Sequence, residues 1–101
     1  MEMLNEDINF EWDDNKAFSN KLKHNVSFER ATDVFTDPYA RVVPDDKHSL
    51  DEQRFHIIGM DLLTRVLLVC YCERNQGGSL RIISARKATK KEEVQYWKFR
   101  R

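Results

Sequence analysis

The sequence predicts an α+β domain, and three observations carry that prediction. Three strand-like runs follow one another between residues 54 and 85 with short turn segments between them. The segments with helical periodicity fall outside that block, toward the two ends of the chain. No strand–helix–strand alternation of the kind that builds a doubly wound parallel sheet is present. Consecutive strands joined by short loops favour antiparallel pairing. The expected architecture is therefore an antiparallel sheet with N-terminal helices and a C-terminal helix. At 101 residues the chain is expected to be one domain, residues 1–101. With 41% apolar and 34% charged residues, 3 Gly and 2 Pro, its composition is that of a small polar globular domain.

Taken in order, Ile8, Phe10 and Trp12 alternate with polar residues, the period of a short strand. Asp13 and Asp14 then suit a helix start, and residues 15–24 read as a helix with Phe18 and Leu22, four apart, on its buried side. Lys23 and His24 fall in its last turn, where cations favour the dipole, and Asn25 suits a left-handed stop. Ser27 caps a second helix in which Phe28, Ala31, Val34 and Phe35 form one apolar stripe, ended by Asp37 and Pro38. Arg41, Val42 and Val43 read as a weak strand stopped by Pro44, and residues 45–51 as a polar loop. Residues 54–60, 65–73 and 80–85 are the three strands, and Val66 to Cys70 has the unbroken apolar character of a strand buried on both faces. Residues 60–64 and 75–79 supply the turns. Thr89 caps a helix from Lys90 to the end, with Val94 and Trp97 on one face.

The formal net charge is zero, yet residues 1–53 hold 13 acids and 6 bases while residues 54–101 hold 4 acids and 11 bases. Such a basic half can face phosphates or an acidic protein; equally, the two halves can neutralise one another across the fold. Cys70 and Cys72, two apart in an apolar run, read as small buried thiols on one strand face, which suits a reducing compartment. The acidic start, Met1 to Asp7, has no apolar segment of a secretory signal, and no run approaches the ~20 residues of a membrane span, so a cytoplasmic location without membrane contact is expected.

No P-loop, dinucleotide fingerprint, zinc-protease helix or nucleophile elbow is present. His24, His48 and His56 are scattered, and no Cys/His/carboxylate group has metal-ligand spacing, so neither metal nor cofactor is expected. What stands out is cationic. Arg54, Arg65, Arg74, Arg81 and Arg86 fall within strands or at their ends, and Lys87, Lys90 and Lys91 lead into the last helix. A guanidinium in a strand must face solvent, a carboxylate or a ligand, because burying it unpaired is costly. Strict alternation puts Arg81 and Arg86 on opposite faces; they share one only if the strand bulges or ends between them. Salt bridges such as Arg54 with Glu52 or Arg86 with Glu92 are the plainer reading of each arginine. Phe10, Trp12, Phe28 and Phe35 read as core.

Phe10-Glu11-Trp12-Asp13, then Lys16, Asn20 and Lys23-His24-Asn25-Val26-Ser27-Phe28, then Ala31 and Val34-Phe35 form one series. Glu52-x-Arg54, Ile58-Gly59, Arg81-Ile82-Ile83-Ser84-Ala85-Arg86-x-Ala88, Glu92 and Tyr96 continue it. Together, over residues 8–97, this pattern resembles the BrnT family of type II toxins. Asn25 stands where the family usually has glycine, a position Asn can also adopt. The resemblance implies a compact RelE-like single domain and a ribonuclease that arrests growth by inhibiting translation. It also implies neutralisation by a BrnA-like ribbon-helix-helix antitoxin, with DNA contacted only indirectly through that partner.

Metal-free RNA cleavage can use the ribose 2′-hydroxyl as nucleophile, which demands a proton acceptor, a proton donor and stabilisation of the charged phosphorane-like state. Arg54, Arg81 and Arg86 are the candidates for phosphate binding and transition-state stabilisation. His24 and Glu92 are the candidate acid or base, with His56 in reserve, and Lys23, Lys87, Lys90 and Lys91 are candidate RNA contacts. The competing reading is a non-enzymatic module that uses its basic half to hold nucleic acid or an acidic protein. A DNA-binding repressor is the weaker third, since the second helix carries Glu29 and Asp33 as well as Arg30.

Overall fold

Asp13 ends an extended segment and its carboxylate accepts the Lys16 N–H at 3.0 Å, which starts helix α1 (Asp14–His24). Asn25, at φ 59°, stops that helix in the left-handed conformation. Ser27 caps α2 (Phe28–Thr32) in the same way through the Arg30 N–H. The computed structural model describes residues 8–48 and 52–100. The acidic start, the last part of the expected polar loop and the final residue of the expected C-terminal helix lie outside them. The other elements are β1 (Phe10–Glu11), β2 (Arg41–Asp45), β3 (Arg54–Met60), β4 (Val66–Arg74), β5 (Ser79–Lys87) and α3 (Lys90–Arg100).

The five strands form one sheet in the order β1-β5-β4-β3-β2. Strands β2 to β5 pair antiparallel as expected, but β1 runs parallel to β5, so the sheet is mixed rather than antiparallel. The reason is topological: the last strand, β5, comes in beside β1 running the same way, and a two-residue pairing suffices to seat β1 there. Beyond β1, the edge of β5 is completed by a side chain. The buried Asn20 of α1 accepts the Ala85 N–H at 3.1 Å and donates to the Ala85 carbonyl at 2.7 Å and the Val26 carbonyl at 3.0 Å. Its amide does the work of one more strand residue.

That role corrects the expected orientation of α1. Phe18 and Leu22 are 68% and 73% exposed, and the helix turns Ala17 and Asn20 inward instead. Two further expectations change. The stripe from Phe28 to Phe35 is not one helix: the α-helix ends at Thr32 and a 3-10 turn, Asp33–Thr36, takes over. Pro44 does not stop β2, because this strand lies at the sheet edge, where a missing N–H is tolerated.

One face of the sheet carries the core. Ile57, Leu67, Val69, Tyr71, Ile82 and Ala85 pack against Val26, Phe28, Ala31 and Val34, with Phe10, Trp12 and Phe35 at the margin. The aromatic rings meet edge-on, Trp12 to Phe28 at 5.9 Å and Phe35 to Tyr71 at 5.1 Å, so they are core, as expected. A side chain at Gly59 would place its Cβ 3.1 Å from those of Val34 and Ala40; the bare backbone lets the 3-10 turn settle on β3. Helix α3 closes one end of the other face. There Tyr96, not Val94 or Trp97, is the buried residue, donating its hydroxyl to Asp37 at 2.6 Å. Asp37 also accepts the Met60 N–H at 2.8 Å. Burial and the Asp37 carboxylate push the Tyr96 phenol up to about 12, so it stays a donor.

Candidate active site on the second sheet face

Which side chains share the second face is decided by one irregularity. Between β4 and β5, Tyr71 lies opposite Ile82 but Cys70 lies opposite Ser84, leaving Ile83 as an extra residue. The bulge resets the alternation, so Arg81, Ser84 and Arg86 all belong to the face turned away from α2. The condition under which the two arginines can share a face is thus met.

The register then arranges this face in three rows. The first runs across all five strands as Asp45, Arg54, Cys72, Arg81 and Glu11, with acids at both edges and arginines inside. The second is Val43, His56, Cys70 and Ser84, and the third is Arg41, Ile58, Leu68 and Arg86. The first and third rows are about 13 Å apart along the strands, at ~3.3 Å per residue. Arg54 and Arg81 therefore stand at one end of the face and Arg86 at the other.

Arg86 meets a cavity of about 300 Å³ lined by His24, His56, Leu68, Cys70, Ser84 and Ala85. A second cavity, of about 380 Å³, adjoins it through His24 and Ser84 and reaches Lys16, Ser19 and Lys23 along α1. The C-terminal turn of α1, held to β5 by Asn20, brings His24 and Lys23 to these cavities. His56 lies 3.3 Å from the carboxylate of Asp45, a nearly buried acid on β2. Asp45, Ser84 and Cys70 were not among the expected site residues. Their only signal is cross-strand register, which a sequence does not display.

The remaining candidates divide. Glu92 is fully engaged: Arg86 donates to both its oxygens at 2.9 and 3.1 Å, and the Thr89 N–H donates at 2.8 Å. The Thr89 hydroxyl in turn accepts the Glu92 N–H, completing a capping box for α3. Chiefly through the Arg86 hydrogen bonds, the Glu92 carboxyl is held below its usual range. Arg81 is 3.3 Å from Glu11. Glu52 pairs with Arg74 at 3.1 Å. Lys91 lines a groove with Arg41, Val43 and Ile58 under α3. Lys90 is exposed in the first turn of α3. Lys87 stands opposite Leu67, on the face away from Arg86.

A family model described as "Ribonuclease toxin, BrnT, of type II toxin-antitoxin system" matches residues 12–92. The chain belongs to the BrnT family. That span begins just after β1 and runs through Glu92, and it contains every residue of the two cavities. The crystal structure of the Brucella abortus ribonuclease toxin BrnT superposes with a TM-score of 0.65 at 24% identity, covering 82% of this chain and 99% of that one. At that identity the likeness establishes the shared α+β fold. Among curated proteins, none matches the chain in sequence. Within the described residues, no helix is long and apolar enough to cross a membrane.

Proposed function

We propose that this BrnT-family chain is an endoribonuclease toxin that cleaves RNA through the ribose 2′-hydroxyl, without requiring a metal ion, at the cavity where His24 and His56 meet Arg86. The observation that carries this reading is the convergence of two imidazoles and one permanently charged guanidinium on a single opening. These groups meet the three needs of 2′-hydroxyl attack. An imidazole accepts the hydroxyl proton, an imidazole or its conjugate acid supplies one to the departing 5′-oxygen, and Arg86 binds two phosphate oxygens as charge accumulates.

His24 is the principal acid–base candidate, at the junction of both cavities. Glu92 is a positioning residue: with both oxygens occupied, it aims the Arg86 fork and does not carry the proton. Lys23 extends the cationic path along the second cavity. Arg54 and Arg81, together in the first row and about 13 Å from the row of Arg86 at ~3.3 Å per residue, suit flanking phosphates rather than the scissile one. We further propose that the outcome is growth arrest through translation, in the cytoplasm, as expected of a RelE-like toxin. A BrnA-like ribbon-helix-helix antitoxin would neutralise it and supply any DNA contact.

The decisive experiment follows labelled RNA with purified protein in chelator. Cleavage is expected, with His24→Ala and Arg86→Ala each reducing it about 100-fold while preserving the circular dichroism spectrum. Arg81→Ala should weaken binding more than turnover. RNA bound but left intact by the native chain would replace this reading with the non-enzymatic module. In cells, Arg86→Ala should relieve growth arrest, as should co-expression of a BrnA-like partner.

A further inference from the structure

Strands β2, β3 and β4 set Asp45, His56 and Cys70 together, and a ligating atom from each lies within 4.8 Å of the other two. The chain positions of these residues give no hint of a metal site; antiparallel register alone assembles it. His56 stands opposite Cys70, and Asp45, at the end of the edge strand, reaches His56 from the neighbouring row. We propose that this trio is a zinc-binding site, with the Asp45 carboxylate, the His56 imidazole and the Cys70 thiolate as three protein ligands and an exchangeable fourth ligand on the cavity side.

The donor set supports that choice. A thiolate, an imidazole and a carboxylate together suit zinc, whereas calcium and magnesium want oxygen alone. Thiolate and carboxylate supply the two negative charges that neutralise the ion. All three donors hang from paired strands, so little ordering is left to be done on binding. Burial pushes the Cys70 thiol up, while the neighbouring Arg54 pulls it down. Without an ion the thiol keeps its proton, and zinc displaces it to solvent as the Zn–S bond forms. Cys72, one row away and opposite Arg54, is no part of the trio. His56 and Cys70 both line the opening assigned to RNA, so an ion there takes up the His56 lone pair and narrows that opening. Binding itself does not depend on the ribonuclease reading, and its test needs no RNA.

Titration of the reduced native chain with Co2+ should produce a thiolate-to-cobalt charge-transfer band that saturates at one equivalent and is abolished by Zn2+. Cys70→Ala should remove the band, and Cys72→Ala should keep it. Asp45→Asn should weaken Zn2+ binding about 10-fold or more, scored by competition with a chromophoric chelator. Absence of the band in the native chain overturns the proposal, whatever the fate of the variants. So does a band that survives Cys70→Ala in a folded protein.

Discussion

Asn20 shows how much one side chain can carry. Its amide satisfies a backbone N–H and two carbonyls that would otherwise be buried without partners at the junction of α1, α2 and β5. Each such group left unmet costs about 1–3 kcal/mol, so with three groups affected Asn20→Ala should destabilise the fold by roughly 3 kcal/mol or more in denaturant titration. It should also loosen His24, four residues on, and so reduce RNA cleavage under conditions where the variant is still folded. Glu92 makes a gentler case. Its carboxyl is held low in the folded state, so the stability it contributes is present above the usual carboxylate range and fades as pH falls through the depressed value. Glu92→Gln keeps an acceptor for the Thr89 N–H but discards the charge. At neutral pH it should lose on the order of 0.5–1 kcal/mol, the worth of a partly exposed pair. Below the carboxylate range the two proteins should converge in thermal stability.

At the level of elements, the bulge at Ile83 is the feature with most at stake. Removing Ile83 leaves Ile82 opposite Tyr71 and Ser84 opposite Cys70, so every side chain keeps its face. Deletion of Ile83 should therefore give a folded protein with its cooperative melt intact. Deletion of Val69 from the central strand should not, because half of β4 would turn its core residues outward. The same contrast explains what could be read in advance. Strand β3 was legible to the residue, and β4, β5 and both long helices nearly so, because period and capping are local. The parallel seat of β1, the inward side of α1 and the site's second histidine were not. Phe18 and Leu22 have the spacing of a buried stripe, but the helix is turned by the need of Ala85 for a hydrogen-bonding partner, a demand lying 65 residues away. In the sequence His56 reads first as a satisfied strand histidine, since its neighbours in the cavity come from other strands.

Across the whole molecule, the acidic and basic halves of the chain are interleaved. Glu11 meets Arg81 and Glu52 meets Arg74, so part of the C-terminal excess is neutralised from the N-terminal half. This is the outcome that charge alone left open, and it tempers the expected footprint on RNA. A few cations, not a broad basic surface, would contact phosphate. The logarithm of RNA affinity should thus fall with the logarithm of salt at a slope of about −2 to −3, and Arg81→Ala should make it shallower by about 0.7.

The sheet also has one side left unguarded. At β5 the strand β1 and the Asn20 amide fill the outer positions, whereas among the described residues β2 has no neighbour on its far side, and it turns Val42 and Val43 to solvent. Pro44, in the middle of that rim, offers no N–H to an incoming strand, and charged Arg41 and Asp45 stand at its ends. Replacing Pro44 by valine restores a donor to an already sticky ribbon. The expected result is self-association that grows with concentration in light scattering and stops at a dimer, as two molecules join their sheets edge to edge.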